Sequence, residues 1–65
     1  MLKGQIVTEI YRLCKHKDSI KCTLKTIIDT ACKYHNEQEL KEVYNDVKKG
    51  KVKPEVAILY LINFN

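Results

Sequence analysis

Glycine occurs twice in this 65-residue chain, arginine once and proline once, and no apolar run approaches the length of a membrane span. Each scarcity removes a class of function. With only Gly4 and Gly50, the chain cannot build a glycine-rich loop that cradles a phosphate on open backbone amides. A lone arginine, Arg12, leaves little of the bidentate guanine contact that dominates sequence-specific DNA reading. The longest apolar run, Val56 to Ile62, falls far short of the ~20 residues that a spanning helix needs. The start, Met1-Leu2-Lys3-Gly4-Gln5, lacks the basic-then-apolar build of a signal peptide, so a cytoplasmic protein with no membrane partner is expected. The odd set of cysteines, Cys14, Cys22 and Cys32, fits reduced thiols rather than a disulfide framework.

What is present is an ordinary globular balance, 45% hydrophobic and 31% charged. Residues 1–65 are read as a single helical domain. A chain this short buries only about 60% of its unfolded surface, and such domains often lean on a partner subunit.

Four segments follow. From Lys3 to Lys15, the residues Ile6, Val7, Ile10, Leu13 and Cys14 trace an apolar helical stripe, with Glu9, Arg12 and Lys15 off it. A polar stretch follows, in which Asp18 or Ser19 is the expected N-cap of the second helix. That helix, Ile20 to His35, places Ile20, Leu24, Ile27, Ile28, Ala31 and Tyr34 on one face and Lys21, Lys25, Asp29 and Lys33 on the other. Cys22 falls away from the stripe, which makes it the most exposed thiol expected.

Asn36 opens the third helix as N-cap, with Glu39 completing a capping-box pattern and Leu40, Val43, Tyr44 and Val47 forming a narrow stripe. Gly50, after Lys48 and Lys49, marks its end. In the fourth segment Pro54 and Glu55 form a helix start, although the run Val56 to Phe64 is also short and β-branched enough to be a strand. No other convincing strand exists to pair with it, so helix is preferred. The expected fold class is all-α, a compact three- to four-helix bundle.

Charge is uneven. Residues 12–25 carry Arg12, Lys15, Lys17, Lys21 and Lys25 against Asp18, a local +4. Residues 26–47 carry Asp29, Glu37, Glu39, Glu42 and Asp46 against Lys33 and Lys41, a local −3, and residues 48–55 hold Lys48, Lys49, Lys51 and Lys53 against Glu55, a local +3. The basic patch is a footprint for nucleic acid or an acidic partner. A helix-turn-helix reading, with Lys21, Thr23 and Lys25 opening a recognition helix, is the second functional expectation. Against it stand the single arginine and the acids Glu37 and Glu39 at the other candidate helix start. A solvated lysine face is the plainer account.

Chemistry finds little footing. Cys14, His16, Cys32 and His35 are zinc-ligand types, but the Cys14/His16 step points the ligands apart and no CxxC pair exists. Cys32 and His35 lie one helical turn apart, yet no carboxylate or oxyanion donor completes a catalytic set. No enzyme, cofactor or metal is expected.

What remains is interaction. A fourth helix apolar on every side needs either the centre of the bundle or another chain. Ile58, Leu61, Ile62 and Phe64 are the expected protein interface, most simply of a homodimer. The expected function is a small regulatory module that binds a protein. Lysine-heavy, arginine-poor usage with many Ile, Asn and Tyr suggests an AT-rich genome, and the size suits a phage or mobile-element accessory protein acting on a host factor.

Overall fold

The computed structural model describes residues 2–63, and among them there are four α-helices and no strand. They are α1 (Lys3–Arg12), α2 (Leu24–Tyr34), α3 (Glu37–Lys48) and α4 (Pro54–Ile62), with a 3-10 turn at Lys17–Ser19 between the first two. The all-α bundle is therefore what this sequence builds, and the segment left open between helix and strand is a helix up to Ile62. Phe64 lies outside the described residues.

α1 is the hub, packed against all three other helices. Its stripe delivers Ile6, Val7 and Ile10 with no exposure, to meet Ile27 and Ala31 of α2, Leu40 of α3, and Ile58 and Leu61 of α4 in one core. Each large aliphatic side chain enclosed in this way contributes about 1.5–3 kcal/mol. α3 and α4, by contrast, meet only sparsely.

Two helix ends differ from the sequence reading. α1 stops at Arg12 rather than Lys15, because the amides of Lys15 and His16 are taken by the Glu55 carboxylate of α4, donating to Oε2 over 2.7 and 2.8 Å. The freed Cys14 carbonyl accepts from Lys17 Nζ at 2.7 Å. α2 starts at Leu24 rather than Ile20. Ser19 spends its hydroxyl as a donor to the His16 carbonyl (2.8 Å), whereas Thr23 Oγ1 accepts the Thr26 amide at 3.3 Å as the true N-cap. Ile20 is nevertheless buried, from the loop. Tyr34 is exposed rather than on the core face.

α3 begins as its sequence indicates. Asn36 Oδ1 accepts the Glu39 amide at 2.8 Å. Beyond its end, Gly50 takes a φ of 79°, which an L side chain rarely adopts. Pro54 occupies the first turn of α4.

Candidate docking groove

The sparse seam between α3 and α4 is a groove of about 410 Å³. α3 supplies Glu39, Glu42, Val43 and Asp46 to one wall; α4 supplies Val56, Ala57 and Tyr60 to the other, and Val52 closes the loop end. The origin is local. α3 has only a narrow apolar stripe, so Val43 reaches the edge of the core while Glu42 and Asp46 stand beside it. α4 is apolar on all sides, so turning Ala57, Ile58 and Leu61 inward leaves Val56 and Tyr60 facing out, 53% and 54% exposed.

At the far end the groove is fastened by a side-chain cluster. Glu39 Oε1 lies 2.9 Å from His35 Nδ1, and Tyr60 Oη donates to Glu39 Oε2 at 3.2 Å. His35 Nε2 lies 3.2 Å from the Leu61 carbonyl, and its ring is 5.6 Å from that of Tyr60. The His35 contact, with help from the Tyr60 hydroxyl, holds the Glu39 carboxyl below the usual carboxylate range. The same carboxylate pushes the Tyr60 phenol upward. Glu39 therefore joins the end of α2 to α4 instead of closing the capping box that the sequence suggested. The other two acids carry less: Glu42 accepts only a 3.3 Å bond from Gln38 Nε2, and no side-chain partner is seen for Asp46 among the described residues.

The residues expected to form an interface are divided. Ile58 and Leu61 have no exposure and belong to the core of the single chain, Ile62 is half-buried, and Phe64 is outside the described residues. The apolar side chains that α4 leaves in solvent are Val56, Leu59 and Tyr60. Periodicity could not choose among nine residues that are nearly all apolar; only the position of α1 decides which face turns inward.

The basic residues are also divided. Arg12 pairs with Glu9 at 3.2 Å, and Lys17 is drawn to the Cys14 carbonyl and lies 5.5 Å from the centre of the Tyr11 ring. Lys15, Lys21 and Lys25 are exposed. Lys21 precedes α2 rather than opening it, and residues 13–23 separate α1 from α2 where a helix-turn-helix has a turn of about 3–4 residues. Cys22 is half-buried against the core and Cys32 is half-buried as well; Cys14 is buried, and burial pushes its thiol upward. Among the described residues no group of three or more His, Cys, Asp or Glu side chains converges to hold a metal.

A second depression, lined by Leu2, Gly4, Gln5, Thr8, Glu9 and Ile28, runs beside α1. Its one ionisable side chain, Glu9, is already paired with Arg12. No described helix is long and apolar enough to cross a membrane. Compared with protein-family models, with curated proteins and with solved structures, the chain matches none.

Proposed function

We propose that this protein is a small, non-enzymatic binding module that docks another protein in the α3–α4 groove. The observation that carries the reading is the exposure of Val56 and Tyr60 beside Val43 and Val52, apolar surface next to a cleft in a chain whose core is already closed. Surface of this kind, rimmed by polar residues, usually serves a protein contact. The docking residues are then Val43, Val52, Val56 and Tyr60, with Ile58 and Leu61 acting from behind as support.

Capture from a nuclease-treated lysate of its source cells, comparing the native chain with Val56→Asp, tests this. Protein bands that survive nuclease and disappear with Val56→Asp are the expected result. Val56 is more than half exposed, so the substitution costs little stability, within about 0.5 kcal/mol. Equal capture by both chains would overturn the groove as the docking site.

The net charge of +4 favours a second reading, non-specific nucleic-acid binding through Lys15, Lys21 and Lys25 with Arg12 and Lys17. Retention that vanishes on nuclease treatment and falls steeply with salt would select it.

A further inference from the structure

Resting on that protein-docking reading, we propose that the groove receives a cationic amphipathic helix, with apolar side chains between Val43 and Val56 and lysine or arginine side chains over Glu42 and Asp46. The shape of the groove comes first. Its α3 wall is built from positions 39, 42, 43 and 46, one face followed for nearly two turns, or about 10 Å. Its α4 wall is built from positions 56, 57 and 60, one further turn. A partner helix offers anchors at the same three- and four-residue repeat, which is how helices seat in grooves. A partner strand would need a sheet edge, and the described residues contain no strand.

Charge selects the kind of helix. Glu42 and Asp46 stand one turn apart along the rim, while Glu39 is already occupied by His35 and Tyr60. Glu42 and Asp46 line the groove itself, so cationic side chains are drawn to the α3 rim and repelled both from the Arg12–Lys25 region and from the loop end, where Lys51 and Lys53 flank Val52. Phosphate is disfavoured at the same place by the same carboxylates. A second copy of this chain would offer its Arg12–Lys25 stretch mostly as loop and a 3-10 turn between α1 and α2, not as the continuous amphipathic helix whose repeat the groove walls match.

The test uses two synthetic peptides of about 14 residues, roughly four helical turns. Both carry the same amphipathic leucine pattern, one with lysine and one with glutamate at the polar positions. Each is titrated into the isotope-labelled full chain while amide resonances are followed. The lysine peptide is expected to shift Val43, Val52 and Val56 and to bind at least about tenfold more tightly than the glutamate peptide, a preference lost in 0.5 M salt. The double variant Glu42→Lys, Asp46→Lys, whose fold is checked by its own spectrum, is expected to reverse the preference.

Equal binding of both peptides in the groove, abolished by Val56→Asp, would overturn the cationic partner while leaving the docking reading intact. Shifts confined to other faces, or concentration-dependent oligomers with no peptide bound in the groove, would overturn the cationic partner and remove support for the docking reading.

Discussion

Glu55 binds two consecutive backbone amides from 39 and 40 positions earlier in the chain, and these bonds fix where α1 stops. The His16 amide is the main reason its carboxyl sits below the ordinary range, followed by its own amide and that of Lys15. A depressed folded value means that the contribution to stability is present above the unfolded value, about pH 4–5, and is lost as pH falls through the folded one. Glu39, also depressed, acts in the same direction. Glu55→Ala is therefore expected to lower the melting temperature at pH 7, and the gap to the native chain should close in acid. Glu55→Gln, which keeps an acceptor oxygen, should fall between the two. Thermal melts at stepped pH read this directly; a gap unchanged down to pH 2 would contradict it. Nothing local in the sequence announced this role, because Glu55 beside Pro54 reads equally well as a plain first-turn acid.

Element boundaries were legible where one residue had one job. Asn36 and Gly50 bracket α3 because a side-chain acceptor and a tolerance of positive φ have no substitute nearby. The start of α2 was not legible, because Asp18, Ser19 and Thr23 are all competent caps. What chose Thr23 is tertiary: Glu55 holds the amides of Lys15 and His16, the 3-10 turn at Lys17–Ser19 follows, and Ile20 enters the core just past that turn. Thr23→Ala is expected to cost about 1 kcal/mol in urea unfolding. Ser19→Ala, on the exposed turn, should remain within about 0.5 kcal/mol. Equal losses at the two positions would mean that α2 begins earlier in solution.

On the scale of the molecule, the question the sequence left open was whether α4 lies inside the bundle or against another chain. The structure divides it: Ala57, Ile58 and Leu61 close the core, while Val56, Leu59 and Tyr60 remain outside. The reason lies in helical geometry, since a helix with apolar residues all round carries no phase, and α1 supplies the phase by lying across one side of it. The radius of gyration, 10.4 Å, matches the ~11 Å expected of a compact folded chain of this length. A core completed within one chain does not need a second copy to exist. An obligate dimer would gain stability by mass action, with a melting temperature that rises with protein concentration. The melting temperature of this chain is expected to stay constant over a hundredfold concentration range, and sedimentation should give a particle of 7.6 kDa. Leu61→Asp should unfold it at every concentration, because a charge forced into a fully enclosed site costs several kcal/mol of the roughly 3–10 kcal/mol that a chain of this size holds. A melting temperature that climbs with concentration would instead assign the exposed side of α4 to self-association and leave the groove beside it without a free ligand.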